Sequence, residues 1–117
     1  MNESISELDF LIETRKEKEK YFKNYLEYAQ KIKTETERLL GKVKVFVFGS
    51  ILRKDEVPQD IDILIVSPEL KTSQEKSLIR TKILKKLGTF SPFEIHLITP
   101  EEYRDWYSHF IKEKIEV

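Results

Sequence analysis

Three short apolar runs alternate along the chain with longer segments in which apolar residues recur every three or four positions. The runs at Val43–Phe48, Asp60–Val66 and Phe93–Ile98 have the length and the β-branched content of strands. The segments at about 4–40, 73–87 and 101–112 have the spacing of amphipathic helices. This order predicts a single α/β domain over residues 1–117, a small mixed sheet with helices packed mainly on one face.

The first helix is predicted over residues 4–40, with Gly41 ending it. A charged run at Arg15–Lys20 interrupts its apolar stripe. Two interpretations are open: a solvated helical stretch stabilised by opposite charges, or a first dozen residues that form a separate arm, packed on a neighbouring subunit. Four aromatic residues have helical spacing, which favours core packing over a base-stacking platform: Tyr21, Phe22, Tyr25 and Tyr28.

Capping residues mark the two later helices. Thr72 is predicted to cap the first of them, with Glu75 reaching back to it, and Gly88 to end it. Thr99 is predicted to cap the last helix, with Pro100 at its first position. The chain therefore divides into an N-terminal helical segment (1–40), a core (43–99) and a C-terminal helix (100–117).

Alternation along the second and third strands separates an apolar face from an acidic one, because side chains two residues apart point to the same side of a sheet. Ile61, Ile63 and Ile65 share the face that packs against helices, and the opposite face begins with two acids, Asp60 and Asp62. In the third strand the same alternation puts two polar residues on the face of those acids: Glu94 and His96.

Glu94 lies between the apolar residues Phe93 and Ile95. A charged group is rarely buried without a partner, so Glu94 is hard to explain as a core residue and is the candidate for a third carboxylate of the site. The alternative is a glutamate at the sheet edge that faces water. His96 is expected to contact solvent or a nearby carboxylate more often than a substrate.

The adjacent carboxylates of Asp60 and Asp62 indicate a divalent cation, because a shared cation relieves the repulsion between like charges this close. Upstream, Gly49 and Ser50 end the first strand, where a turn exposes backbone N–H groups and a hydroxyl to an anion. A cation site beside an anion site suits a nucleoside triphosphate with magnesium. The competing interpretations are a calcium or structural cation site for the acids, and an ordinary turn for Gly49–Ser50.

Length and charge narrow the function classes. At 117 residues the chain has room for one modest core, so a macromolecular substrate is expected to be held by an exposed surface or a partner. Lys+Arg and Asp+Glu are both 21, and the resulting net charge of zero argues against a nonspecific nucleic-acid binder. The sequence has no cysteine, no secretory signal and no apolar run of membrane length, which favours a soluble cytoplasmic protein.

The motif around the paired acids resembles a known family. Gly49–Ser50, nine intervening residues and then Asp-hydrophobic-Asp-hydrophobic from Asp60 resemble the signature of the DNA polymerase beta type nucleotidyltransferase superfamily, and in particular its small minimal nucleotidyltransferase branch. The similarity covers about residues 43–99, and Arg53 and Asp55 match the form Gly-Ser-x-x-Arg-x-Asp. Lys54 departs from the pattern, which often has glycine there.

The resemblance implies the polymerase beta-like nucleotidyltransferase fold and a metal-dependent transfer of a nucleoside monophosphate, AMP from ATP, to an acceptor. It implies that two Mg²⁺ ions bind at three catalytic carboxylates: Asp60, Asp62 and Glu94. Of these, Glu94 would serve as metal ligand or general base. The implied triphosphate-binding residues are Gly49, Ser50 and Arg53.

Minimal nucleotidyltransferases commonly act as antitoxins that transfer AMP to a tyrosine of a HEPN-type ribonuclease toxin, so the resemblance implies such a toxin as partner. Two alternatives are open: a catalytically weak module that binds nucleotide or partner on the same fold, and an enzyme that adds nucleotides to RNA ends. The neutral charge disfavours the second. A homodimer formed through the first and last helices is also open.

Overall fold

The computed structural model describes residues 6–88 and 91–117. Within these ranges four helices and four strands follow one another along the chain. In order they are α1 (Glu7–Lys23), α2 (Tyr25–Leu40), β1 (Lys44–Phe48), β2 (Ile61–Val66), α3 (Ser73–Leu87), β3 (Phe93–Ile98), α4 (residues 100–110) and β4 (Lys114–Glu116). The three predicted strands are present, and the α/β fold class is confirmed.

The strands form one sheet in the order β3-β2-β1-β4. β1 pairs antiparallel with both β2 and β4, whereas β2 and β3 are parallel, so the sheet is mixed as predicted. A parallel pair requires a crossover connection, and α3 supplies it. The acidic end of β2 therefore lies between the end of β1 and the start of β3.

The main core lies between one sheet face and the helices α1–α3. Ile61, Ile63 and Ile65 are fully buried there, which confirms the predicted apolar face of β2. Tyr21 and Tyr28 pack against Phe93 at ring-centroid distances of 5.9 and 6.1 Å. These aromatics are therefore core residues, as their spacing predicted.

The opposite sheet face has a smaller cluster that α4 covers in part. Its buried members are Phe46, Leu64, Val66, Ile98 and Ile111. Tyr103 of α4 stacks on Phe46 with the ring centroids 5.9 Å apart. Most helical mass thus lies on the first face, and the second face stays partly open next to the acids.

The N-terminal helical segment is two helices rather than the one predicted over residues 4–40; its first two positions lie outside the described residues. Asn24 separates them with a non-helical backbone, φ −117° and ψ 34°. Its backbone N–H and its side-chain amide both donate to the carbonyl of Lys20, at 3.1 and 3.0 Å. Asparagine interrupts helices because its side chain competes for backbone hydrogen bonds in this way.

The C-terminal segment also differs from the predicted helix over residues 100–117. α4 is α-helical at Pro100–Glu102 and Ser108–Phe110, with a π-helical turn at Tyr103–Tyr107 between them. The chain becomes extended at Ile111, whose side chain is buried in the smaller cluster, and then returns to the sheet as β4. Burial of this isoleucine explains why the helix ends before the predicted boundary.

The predicted caps are largely confirmed. The Thr72 hydroxyl accepts a hydrogen bond from the Glu75 backbone N–H at 3.1 Å, although no return bond from the Glu75 side chain is present among the described residues. Thr99 and Glu102 form a complete capping box, and Pro100 follows Thr99. Gly41 and Gly88 end α2 and α3 with positive φ.

The outer edge of β3 has a side-chain partner from the crossover helix. The Arg80 Nε donates to the Ile95 carbonyl at 2.9 Å. A carbonyl on the free side of the strand is thereby satisfied.

The first half of α1 presents apolar side chains to solvent. Leu8, Phe10, Leu11 and Ile12 are between 44% and 64% exposed, and only Tyr21 of α1 is buried. An open groove of about 770 Å³ lies between this helix and residues 57–59 of the loop before β2. No helix in the described part of the chain has the length and apolar content needed to cross a membrane.

Tyr21 joins the end of α1 to the end of α3, and this junction should be sensitive to pH. Its buried hydroxyl donates to the Leu87 carbonyl at 2.5 Å, and burial raises the pKa of Tyr21 above its ordinary value. The folded state thus holds this proton more tightly than the unfolded state. The contribution to stability is complete below the unfolded pKa of about 10 and is lost as the pH rises above it.

We expect Tyr21→Phe to lower the free energy of unfolding at neutral pH by about 1–3 kcal/mol, because the buried Leu87 carbonyl loses its donor. The variant should also lose less stability than the wild type between pH 9 and 11, as measured by urea unfolding. Tyr25→Phe is the matched control, since the Tyr25 hydroxyl has no hydrogen-bond partner among the described residues. Equal losses at alkaline pH in all three proteins would contradict the assignment.

Candidate metal and nucleotide site

Register between β2 and β3 places three ligand-type side chains together. Asp62 lies directly opposite Glu94 on the parallel strand, and Leu64 lies opposite His96, so Asp62, Glu94 and His96 share one face. One donor atom from each of the three lies within 4.8 Å of the others. The His96 Nε2 is 3.5 Å from the Asp62 Oδ1 and 3.7 Å from the Glu94 Oε1.

The surroundings of this group leave its negative charge uncompensated by basic residues. Asp62 and His96 are partly buried, with side chains 22% and 26% exposed, whereas Glu94 is 56% exposed. Within residues 6–88 and 91–117 no lysine or arginine forms an ion pair with Asp62 or Glu94, and His96 is the partner of both. Two carboxylates on a partly dry surface favour the binding of a cation.

Packing fixes the orientation of the imidazole. The His96 ring contacts Phe48 at the end of β1 and Tyr107 in the π-helical turn, with centroid distances of 5.4 and 6.3 Å. Its Nε2 is thereby directed at the two carboxylates. The predicted contact of His96 with a nearby carboxylate is confirmed.

Gly49 brings the backbone that follows β1 against Asp62. Its φ is +88°, a left-handed conformation that residues with a Cβ rarely adopt. A Cβ at this position would collide with the Asp62 Oδ2. Glycine is therefore required here for two reasons: the bend itself and the close approach of the bend to the carboxylate.

The bend continues into a 3₁₀ turn at Ser50–Leu52, which begins beside the acidic group. Hydrogen bonds from the Leu52 and Arg53 backbone N–H groups to the Gly49 and Ser50 carbonyls close the turn, at 3.1 and 3.0 Å. Ser50 is half-buried, and its hydroxyl has no hydrogen-bond partner within the described ranges. This hydroxyl is thus free to bind an anion next to the carboxylates.

The two remaining predicted site residues, Arg53 and Asp60, are exposed, and Asp60 is not part of the group of ligand atoms that lie within 4.8 Å of one another. Arg53 is exposed and forms an ion pair with Glu56 at 3.0 Å, and this hydrogen bond raises the pKa of the Arg53 guanidinium above its ordinary value. Asp60 is exposed and precedes β2, whose first residue, Ile61, donates its N–H to the Pro92 carbonyl at 2.9 Å. Pairing of β2 with β3 therefore begins one residue after Asp60.

The structure thus brings together Asp62, Glu94, Gly49 and Ser50 from the predicted set. The catalytic, metal and triphosphate roles of all six residues stay predictions. His96 was not among the predicted metal ligands, although strand alternation had already placed it on the acidic face.

Chemically, the group fits a divalent metal ion. Carboxylate oxygens and imidazole nitrogens are ordinary ligands for such ions, and donor atoms already within 4.8 Å of one another need only small rotations to share one. Ser50, whose hydroxyl has no hydrogen-bond partner among the described residues, follows the glycine that lies against Asp62.

The contact between Gly49 and Asp62 gives a test with an internal control. Gly49→Ala and Gly41→Ala should each cost about 1–2 kcal/mol of stability, because both glycines have positive φ. Only at position 49 does a Cβ meet the carboxylate; at Gly41 no atom lies within 4 Å. We therefore expect Gly49→Ala alone to weaken divalent-cation binding, on the order of tenfold, in calorimetric titrations. Equal cation affinities in the two variants would contradict this role.

Comparison with known proteins agrees with this geometry. The family model described as a nucleotidyltransferase domain matches residues 29–116. A solved structure provisionally assigned as a nucleotidyltransferase is 29% identical, with a TM-score of 0.64, over 75% of this chain and 95% of that chain. A second, provisionally assigned nucleotidyltransferase from Sulfolobus solfataricus is 21% identical, with a TM-score of 0.56, over 83% of this chain and 82% of that chain.

The second structure, at 21% identity, shows a similar fold alone. No curated protein matches the chain. The family match covers most of the sequence, from within α2 to within β4, and includes the whole acidic group. The protein therefore belongs to the nucleotidyltransferase domain family, as a small transferase with the polymerase beta-like fold.

Proposed function

We propose that this nucleotidyltransferase uses Mg²⁺ or a related divalent cation to transfer AMP from ATP to a tyrosine of a partner protein in the cytoplasm. The observation that supports this best is the convergence of Asp62 and Glu94 beside the Gly49–Ser50 bend. Carboxylates for a cation and a hydroxyl that can donate to a phosphate thus lie on neighbouring segments, since Ser50 follows the glycine that approaches Asp62. This is the combination that a nucleoside triphosphate with its metal requires.

In the proposed reaction an oxygen of the acceptor forms a bond to the α-phosphorus of ATP. The bond from that phosphorus to the bridging oxygen of the β-phosphate breaks, and pyrophosphate leaves. The divalent cation, when bound, neutralises charge on the phosphates. Asp62 and Glu94 would hold that cation, and the Glu94 carboxylate, which is exposed, would accept the proton of the acceptor hydroxyl.

The bend after β1 binds the triphosphate in this proposal. The Ser50 hydroxyl, which has no other partner among the described residues, donates to a phosphate oxygen. Gly49 lets the phosphates approach the backbone closely. Arg53 would leave its ion pair with Glu56 and bind the leaving pyrophosphate. An exposed ion pair of this kind costs little free energy to break.

Asp60 completes the carboxylate set when the nucleotide is bound. It precedes Asp62 by two residues, or roughly 6–7 Å of extended chain, on the face that alternation assigns to the acids. Because Asp60 lies just before the paired part of β2, it can move without breaking sheet hydrogen bonds. Its exposed carboxylate is therefore the adjustable member of the group.

For the acceptor we propose a HEPN-type ribonuclease toxin, which this protein would silence as an antitoxin. Support comes from α1, which lies outside the family match at 29–116 and exposes Leu8, Leu11 and Ile12. An exposed apolar stripe of this kind is typical of a protein-binding surface. The groove beside it is also lined by Val57 and Pro58, which precede Asp60 by three and two residues. A protein bound there would therefore contact the loop that carries Asp60.

The central test uses ATP labelled at either the α- or the γ-phosphate. With a HEPN-type partner as acceptor, we expect label on protein from the α-position only. Asp62→Asn should reduce the rate by roughly a hundredfold or more, because stabilisation of transition-state charge by a metal amounts to several kcal/mol. Electrophoresis of the labelled partner and phosphodiesterase release of AMP measure both effects.

Asp105→Asn is the matched control, since Asp105 is exposed and its ion-pair partner is the adjacent Arg104. It should transfer AMP at the wild-type rate. Label from the γ-position, or label that enters tRNA and not protein, would refute the proposed reaction.

The α1 surface can be tested separately from the chemistry. Leu11→Glu should abolish partner binding in calorimetry without lowering the stability of the protein, because Leu11 is 61% exposed. Leu78→Glu introduces the same change at an exposed leucine of α3, 55% exposed, and should leave binding unchanged. Equal effects of the two variants would argue against α1 as the docking surface. If α1 instead mediates a homodimer, Leu11→Glu will lower the sedimentation coefficient of the free protein.

A second candidate function is a binding module that masks its partner without chemistry. The observation in its favour is that Asp60 lies outside the group formed by Asp62, Glu94 and His96. Such a module would still neutralise the partner after Asp62→Asn. The enzyme would not, so the same variant separates the two functions.

A further inference from the structure

We infer that His96 is a metal ligand through its Nε2, and that it makes this site prefer a divalent transition metal over Mg²⁺. The inference rests on the proposed function in taking Asp62 and Glu94 as the carboxylate ligands. It adds a nitrogen donor to a site for which the sequence predicted oxygen ligands alone.

The contacts of His96 are long for hydrogen bonds to a carboxylate, and their lengths are close to the distances between two ligands of one metal ion. A strong hydrogen bond from an imidazole N–H to a carboxylate is about 2.7–2.9 Å long. The His96 Nε2 is instead 3.5 and 3.7 Å from the carboxylate oxygens of Asp62 and Glu94. Two ligands that each lie roughly 2.0–2.2 Å from one metal, at tetrahedral or octahedral angles, are about 3.0–3.5 Å apart. The observed spacings therefore need only small side-chain movements.

Two of the three ligands have supporting contacts, whereas Glu94 is exposed. Asp62 lies against the Gly49 backbone, where no Cβ fits, and the His96 ring contacts the rings of Phe48 and Tyr107. A ligand set fixed by its supporting contacts binds a metal with less loss of side-chain freedom. For Nε2 to coordinate, the imidazole must be neutral with its proton on Nδ1.

The nitrogen decides the kind of metal. Mg²⁺ is bound by oxygen ligands and keeps much of its water, whereas imidazole suits ions later in the first transition row. The chain has two histidines, His96 and His109, and no cysteine. His96 is the histidine in this group, so it is the source of a nitrogen ligand here, and His109 serves as the control. The inference is therefore testable with a single matched control.

Cobalt(II) is the probe, because a histidine bound to it gives a paramagnetically shifted, exchangeable imidazole N–H signal in proton NMR. We expect one such signal in the wild type and in His109→Gln, and none in His96→Gln. In titrations without nucleotide, His96→Gln should weaken Co²⁺ binding on the order of tenfold or more. Its Mg²⁺ affinity should change by less than about threefold, since glutamine still offers an oxygen.

His96→Asp provides a second variant in which the nitrogen is replaced by an oxygen ligand. It should bind Mg²⁺ more tightly than the wild type does and lose the shifted signal, which narrows the preference for Co²⁺ over Mg²⁺. Circular dichroism confirms that each variant is folded. A wild-type protein that binds Co²⁺ without a shifted N–H signal, or a signal that survives His96→Gln, would overturn the inference.

Nucleotide transfer measured on the same samples distinguishes this inference from the proposed function. Cobalt bound through His96 with no AMP transfer to any acceptor would refute the function and leave the ligand assignment standing. Mg²⁺-supported transfer by a wild-type protein whose Co²⁺ form shows no shifted N–H signal would refute the ligand assignment and leave the function standing.

Discussion

The parallel pairing of β2 with β3 is the constraint on which the site depends. It sets Asp62 opposite Glu94 and Leu64 opposite His96, so that the acidic group forms from two strands distant in sequence. A slip of one residue would turn Glu94 and His96 into the main core and bring Phe93 and Ile95 to the site. The buried isoleucines of β2 prevent that slip, because their positions in the core fix the register.

The two sheet faces have separate roles that the same alternation imposes. One face is closed by α1–α3 and supplies the stability of the domain, whereas the other is only partly covered by α4 and stays accessible to ligands. Gly49 links the two roles, since the strand that it ends is buried in the core and the bend that it forms touches Asp62. The rigid core thus positions side chains that are themselves partly solvated.

Features that repeat along one element were predictable from the sequence, and features that depend on contacts between elements were not. Strand alternation placed Asp62, Glu94 and His96 on one face, and the turn residues marked the caps at Thr72 and Thr99. The family and the fold class were also predicted correctly.

The errors arose where a single residue or a distant partner decides the structure. Asn24 breaks a helix whose apolar spacing continues through it, and burial of Ile111 ends α4 early. β4 has three residues, too few for a periodic signal, and exists because β1 offers it an edge.

The hydrogen bond from Arg80 to the outer edge of β3 bears on how the protein behaves in concentrated solution. An edge strand with unpaired carbonyls is a template on which other chains can add strands and aggregate. The bond from Arg80 to the Ile95 carbonyl occupies one of those acceptors, and at the far edge β4 is short, with charged Lys114 and Glu116. Both borders of the sheet are thereby less suited to the addition of further strands, while one of its faces stays accessible to ligands.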